Sequence, residues 1–323
     1  MQQFQYSSAT SVDQAVKSQA RILAGGTNLI DMMKLDVERP TSLIDINALT
    51  LSEIKPTPNG GLLLGALSRN SDVAQHPTVL RDYAVLSQAI LSGASPQLRN
   101  MASTGGNLLQ RTRCMYFRDT AHACNKREPG SGCSAIDGVN RSLAILGTSK
   151  DCIATNPSDQ NVALTALEAT VHIQGPSGAR EVPILNFYVL PGSTPHIETV
   201  LQPGDLITAV TLPPPRPGVR SVYLKLRDRA AYEFALASAA VQLGTEGKRI
   251  TFARVALGGV GTKPWRSLEA ERALEGHTVD LATFRHAAQE ALRDAHPQSE
   301  NGFKVDLAQR CIVRALTLAT KSA

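Results

Sequence analysis

Short blocks of apolar and polar positions, punctuated by glycine and proline, predict the elements of this chain. Residues 1–57 read as a small α/β unit: a short helix over 11–18, a strand over 21–23, a second helix over 30–35 and a second strand over 43–46. Residues 58–110 open another such unit. The apolar run 61–66 has strand length, and Val79, Tyr83, Leu86 and Ile90 fall on one face of an amphipathic helix that Gly93 stops. Residues 162–174 predict a helix that gives way to a strand over 171–174. Gly175-Pro176-Ser177-Gly178 has hairpin-turn composition, and residues 182–190 lead into Pro191-Gly192. The run Pro213-Pro214-Pro215-Arg216-Pro217-Gly218 is the clearest linker and marks a domain boundary. Beyond it, residues 221–226, 235–243 and 250–259 predict strands of an antiparallel sheet, and residues 266–319 predict helices. There Phe303, Leu307, Cys311, Ala315 and Leu318 share one helical face, which makes Cys311 a core thiol.

Two glycine turns stand out in this pattern. Ala24-Gly25-Gly26-Thr27-Asn28-Leu29 follows a strand and precedes a helix. Its glycines accept φ > 0 and let the backbone come close to a ligand. Thr27 or Asn28 can cap the helix, and the free N–H groups at a helix start favour an anion. A plain tight turn is the competing reading of one Gly-Gly pair. The second turn, Ser103-Thr104-Gly105-Gly106-Asn107, lies about 80 residues on. Two such turns suit the two ends of one dinucleotide better than either does alone.

Composition narrows the class. With 323 residues, two or three domains are expected. The contents of 42% hydrophobic and 19% charged residues describe a globular protein, and no apolar run reaches the ~18 residues of a membrane helix. The first residues lack the basic and apolar regions of a signal peptide. The net charge of +5 is scattered without a like-charge block, and aromatics are 4%, so no nucleic-acid surface is indicated. The seven histidines show no metal-binding spacing, and no hydrolase elbow occurs.

Cysteine changes the picture. Cys114, Cys124, Cys133 and Cys152 cluster, while Cys311 stands apart. On spacing alone three readings compete: a [4Fe–4S] cluster held by four thiolates, a structural zinc site, which usually contains short C-x₂₋₄-C pairs absent here, and two disulfides, which need an oxidising compartment. A glycine- and proline-rich loop can wrap a cluster without a core of its own, and Arg111, Arg113, Lys126 and Arg127 are at hand to offset its charge. His122, inside this loop, reads as an exposed residue.

The two turns, with Arg99-Asn100 ahead of the second, resemble the FAD-binding subunit of the molybdenum hydroxylases, the xanthine dehydrogenase, CO dehydrogenase and aldehyde oxidoreductase family. The resemblance covers essentially the whole chain, through Asn156-Pro157-Ser158-Asp159, residues 204–213, Tyr223-Leu224-Lys225, Gly258-Gly259-Val260 and Lys263-Pro264-Trp265. It implies an α+β fold: a two-subdomain FAD-binding domain of the p-cresol methylhydroxylase/vanillyl-alcohol oxidase type over 1–217 (subdomains 1–57 and 58–217, cysteine-loop insertion 110–153) and a C-terminal α+β domain over 218–323, an antiparallel sheet with helices. It implies that residues 24–29 and 103–107 cradle the FAD diphosphate, that Asp159 accepts hydrogen bonds from the ribose or adenosine side, that Ile207 packs on the cofactor, and that Lys225 sits by the flavin ring. A cation there would also suit the charge of reduced flavin.

The cysteine loop resembles that of bacterial heterotrimeric aldehyde oxidoreductases, whose flavin subunit carries an extra [4Fe–4S] cluster; the four matching ligands are Cys114, Cys124, Cys133 and Cys152. The function implied is electron transfer. A large partner subunit holds the molybdenum cofactor and oxidises an aldehyde to a carboxylic acid, a small subunit holds [2Fe–2S] clusters, and FAD on this chain hands electrons to an external acceptor. No residue of this chain is expected to touch the aldehyde. Periplasmic location by co-export with a signal-bearing partner is implied, against a cytoplasmic alternative. Two rival functions are a stand-alone flavin oxidoreductase, for which no acid–base pair is found, and a zinc-stabilised binding protein without redox activity.

Overall fold

Three β-sheets share out the chain in the computed structural model, which describes residues 1–320. The first is parallel. It joins β1 (Gln5–Ser8), β2 (Arg21–Leu23) and β3 (Ser42–Asp45) in the order β1-β3-β2. Parallel neighbours need crossover connections, and α1 (Val12–Lys17) and α2 (Leu29–Lys34) provide them. α1 begins where the Ser11 side chain accepts the N–H of Gln14, an N-cap. Ala15 and Val16 of α1 pack against Ile44, Ile46 and Leu49 in a small core.

The second sheet holds β4 (Ile54–Pro56), β5 (Leu62–Gly65), β6 (Thr170–Gly175), β7 (Gly178–Pro183) and β8 (Leu206–Leu212), antiparallel in the order β4-β5-β8-β6-β7. The long connection from β5 to β6 carries α3 (Asn70–Gln75), α4 (Pro77–Asp82), α5 (Ala84–Ser92), α6 (Pro96–Met101), α7 (Thr104–Leu108), α8 (Met115–Arg118) and α9 (Asp159–Ala166), and α10 (Ile184–Phe187) follows β7. The single helix expected across 79–90 is two. Tyr83 leaves helical geometry (φ −132°, ψ 43°), and its hydroxyl donates to the Pro213 carbonyl at 2.8 Å. Val79, Tyr83, Leu86 and Ile90 are nonetheless all buried.

The third sheet holds β9 (Arg220–Leu226), β10 (Ala237–Glu246), β11 (Arg249–Gly258) and β12 (Trp265–Arg266), antiparallel in the order β12-β11-β10-β9. Packed with it are α11 (Leu268–Leu274), α12 (Leu281–Ala291) and α13 (Phe303–Thr320). Cys311 lies in this core, and burial pushes its thiol up to about 12. The buried stripe of α13 runs through Lys304, Ala308, Cys311, Ile312 and Ala315, so it is rotated from the face the apolar residues predict, and Phe303 is exposed.

The cysteine loop corrects an expectation. It does have a core: Cys114, Cys124 and Cys152 are buried with Tyr116, Phe117, Ala135, Leu143 and Ile153, against Met32 of α2. The loop's return is also tied to the C-terminal part. The N–H groups of Ile145 and Leu146 donate to the Val260 carbonyl at 2.8 and 2.9 Å, and His296 N–H donates to the Ile145 carbonyl at 2.7 Å. The loop therefore bridges the two glycine turns and the third sheet. No helix among the described residues is long and apolar enough to cross a membrane.

Candidate functional site

The first glycine turn is set by a backbone approach. A Cβ on Gly25 would stand 1.9 Å from the Met101 carbonyl oxygen, so only glycine lets this turn meet the end of α6. Gly26 takes a positive φ of +72°. Asn28 precedes α2 without capping it. Its Oδ1 instead accepts the Arg111 N–H at 3.1 Å, which fastens the turn to the entry of the cysteine loop.

The second turn is a short helix, α7, rather than a loop. Ser103 caps it, Oγ accepting the Gly106 N–H at 3.2 Å. Gly105 and Gly106 take no positive φ; a Cβ on Gly105 would crowd Ala66 Cβ at 3.1 Å. Thr104 is turned inward, its N–H and hydroxyl both donating to the Ser68 carbonyl. Asn107 Oδ1 accepts from Ser158 Oγ at 2.6 Å. Ser158 in turn caps α9, which binds the two segments into one unit. At six and five residues, α2 and α7 have no long aligned dipoles, and the first-turn N–H groups of α7 are taken within the protein: Thr104 donates to Ser68, Gly105 to Ala66, and Gly106 and Asn107 to Ser103.

The two turns face one cleft of about 750 Å³. Residues 24–29, Ser103, Gly105, Gly106 and Ile207 line it. Thr104 and Asn107 are buried behind that lining. Asp159 and Lys225 do not line it either. They form a buried ion pair, Lys225 Nζ to Asp159 Oδ2 at 2.8 Å, and the Tyr223 hydroxyl donates to the other carboxylate oxygen. Burial, reinforced by the Asp159 charge, pushes Tyr223 well above its ordinary value and keeps it a donor. The trio holds the start of α9, and so the Ser158–Asn107 link, in place.

A row of charges that sequence reading missed forms another wall of the cleft. Lys126 pairs with Glu198 at 3.0 Å, Glu198 with Arg111, Arg111 with Glu38 at 2.6 Å, and Glu38 with Arg21 at 3.2 Å. Arg21, Arg111, Lys126 and Glu198 all line the cleft. Three cations against two carboxylates leave the wall net positive, which suits an anionic diphosphate. No local pattern marks Glu38 or Glu198, because their partners are distant in sequence.

Cys114, Cys124, Cys133 and Cys152 line one small cavity, with Tyr116, Phe117 and Lys126. All are free thiols. Cys124 and Cys133 face each other across an isolated antiparallel bridge. Burial pushes the Cys114 thiol up to about 11, against the pull of the Phe117 and Tyr116 N–H groups. Burial also raises Cys152, while the Lys126 charge and the Ala154 N–H, 3.4 Å from Sγ, work the other way. Among the described residues no three His, Cys, Asp or Glu side chains converge on a single metal ion. Of the four cations expected to offset the charge of this loop, Arg113 and Arg127 brace it instead, while Arg111 and Lys126 join the charge row. Arg113 and Arg118 pair with Asp31, and Arg127 donates to the carbonyls of Tyr116, Phe117 and His122. His122 is largely exposed, edge-on to Tyr116 at 5.1 Å.

Comparison with known proteins agrees with the geometry. Residues 2–215 match the family described as FAD binding domain in molybdopterin dehydrogenase, and residues 222–319 match the CO dehydrogenase flavoprotein C-terminal domain. The chain is 52% identical to the aldehyde oxidoreductase FAD-binding subunit PaoB of Escherichia coli K12, over 94% of this chain and 92% of that one. It is 28% identical to the glyceraldehyde dehydrogenase medium chain of Sulfolobus acidocaldarius, over 93% and 90%. Among solved structures, carbon monoxide dehydrogenase from Hydrogenophaga pseudoflava superimposes with a TM-score of 0.77 at 26% identity, covering 98% of this chain and 97% of that one.

Proposed function

The chain belongs to the family of FAD-binding subunits of molybdopterin dehydrogenases, and on that footing we propose that it is the flavin subunit of a molybdenum-dependent aldehyde oxidoreductase. The observation that carries this reading is the 52% identity, over 94% of the chain, to an aldehyde oxidoreductase FAD-binding subunit. The aldehyde is oxidised to a carboxylic acid on a large molybdenum-cofactor subunit, and a small [2Fe–2S] subunit links that centre to this chain. Bound FAD can take up electrons singly and release one or two, a chemistry that belongs to the cofactor.

The residues of this chain bind, orient and shield. Residues 24–29 with Ser103, Gly105 and Gly106 border the space for the diphosphate, the charge row supplies a positive wall, and Ile207 offers an apolar surface. Asp159, Tyr223 and Lys225 stiffen the segment behind.

The cysteine site is read as a [4Fe–4S] site. Four thiol donors round one cavity are the donor set such a cluster takes. Each of the four cysteines would hold a different iron of such a cluster, so the four need not converge on one ion as zinc ligands do. Ligation also relieves the cost of ionising thiols that burial holds protonated. The N–H groups of Tyr116, Phe117 and Ala154 are in place to donate to the thiolates of Cys114 and Cys152.

The functional reading is tested on the purified complex, without air and without an acceptor. Adding an aromatic or aliphatic aldehyde should bleach the flavin absorbance, and air or an artificial acceptor should restore it. Flavin that stays oxidised in a complex whose molybdenum centre is loaded and reduced by aldehyde sinks the proposal.

A further inference from the structure

The FAD cleft and the cysteine cavity share a wall. Lys126, Cys152 and Ala154 line both, so at this point one layer of residues separates them. Lys126 is the charged member of that layer, with its side chain only 9% exposed. Its ammonium donates to the Pro195 carbonyl at 2.8 Å and to Glu198 Oε1 at 3.0 Å. Glu198 lines the cleft and gives its other oxygen to Arg111. The Arg111 guanidinium lies 4.8 Å over the ring of Phe117, which lines the cysteine cavity.

We propose that Lys126 is a positioning residue shared by the two redox sites: it ties the 195–198 segment over the cleft to the cysteine loop, and its buried positive charge favours the reduced state of the iron–sulfur centre. This rests on reading the cysteine cavity as a [4Fe–4S] site. The electrostatic reason is direct. Adding an electron to a thiolate-ligated centre adds negative charge, and a desolvated ammonium in the cavity wall is screened far less than a surface lysine. Net charge and hydrogen bonding near the sulfurs are among the factors that set such potentials. Glu198 is the counter-weight: it offsets part of the Lys126 charge and part of that of Arg111.

The test is a redox titration of the holo complex, following the iron–sulfur signal by electron paramagnetic resonance and the flavin by absorbance. A Cys124→Ser complex serves as the blank for clusters on partner chains. Lys126→Met should lower the midpoint potential of the centre on this chain, Lys126→Arg should leave it close to wild type, and Glu198→Gln should raise it. A midpoint unchanged in both Lys126→Met and Glu198→Gln, with iron and FAD retained, overturns the proposal, as does a shift in the same direction in both. Should Lys126→Met fail to fold, Glu198→Gln decides by the sign of its shift. Loss of iron or FAD from both Lys126→Arg and Glu198→Gln would assign these residues to holding the fold alone, and also overturns it. If the wild-type complex contains no more iron than the Cys124→Ser blank, it is the reading of the cysteine site that fails, and the iron assay shows this before any potential is measured.

Discussion

Lys304 is fully buried and gives its ammonium hydrogens to the carbonyl oxygens of Ser142, Leu143 and Gly259, at 2.9, 2.9 and 2.5 Å. Burial, with Arg141 adding repulsion, brings its pKa from 10.5 down to about 7. The unfolded chain keeps this proton up to the ordinary lysine value, whereas the folded chain gives it up from near neutrality. Within that window the unfolded state binds more protons, so unfolding free energy rises with pH. The charged form therefore costs stability at neutral pH and below, and that cost fades as the medium becomes alkaline. Denaturant unfolding of wild type and Lys304→Met, at about pH 7 and about pH 9, should show a rise in the wild type that the variant lacks. Parallel pH dependence in the two proteins would show that Lys304 keeps its ordinary pKa. Nothing local in the sequence marks Lys304, because its three acceptors lie far off in the chain. Cys311, by contrast, was legible as a core thiol from its apolar neighbours on one helix face.

Among the elements, the glycine turns show what the pattern conveys and what it conceals. That both turns face one cavity follows from their type and order: strand or capping hydroxyl, two small residues, helix. Why glycine is needed does not. At Gly25 the reason is the Met101 carbonyl, and at Gly105 a Cβ would crowd Ala66, contacts with segments that no local pattern specifies. Gly25→Ala should force the first turn away from α6. The cost expected is about 1–3 kcal/mol of stability, together with loss of most bound FAD after desalting, read from flavin absorbance per chain. Gly302→Ala, where a Cβ meets nothing within 4 Å, should keep its FAD and serves as the control. Full FAD occupancy in Gly25→Ala would mean that the turn does not shape the cleft. Other elements were illegible for plain reasons. β1 has no buried residue and so no alternation to read, β4 and β12 are three and two residues long, and the helix across 79–90 breaks at Tyr83 for a tertiary bond to Pro213.

Across the whole molecule, the cysteine loop is the piece that joins the parts. It leaves α7 beside the FAD cleft, wraps its own core against Met32, and returns through residues 140–147 held by Val260, Asn301 and Lys304. A redox site built there would be fixed to the flavin turns on one side and to the third sheet on the other. The antiparallel third sheet and the cysteine donor set were visible in the sequence, because strands announce themselves by apolar runs and soft ligands by type. The charge row from Lys126 to Arg21 was not visible, since each link spans distant positions. Cofactor content decides the central claim most directly. The complex is purified without air as wild type and as Cys124→Ser, and its visible spectrum, FAD and iron are measured per chain. Flavin bands over a broad iron–sulfur absorption are expected in the wild type, with about four iron atoms more per chain than in Cys124→Ser and equal FAD in both. Equal iron in the two proteins, or a wild-type chain that holds zinc and no flavin, would contradict it.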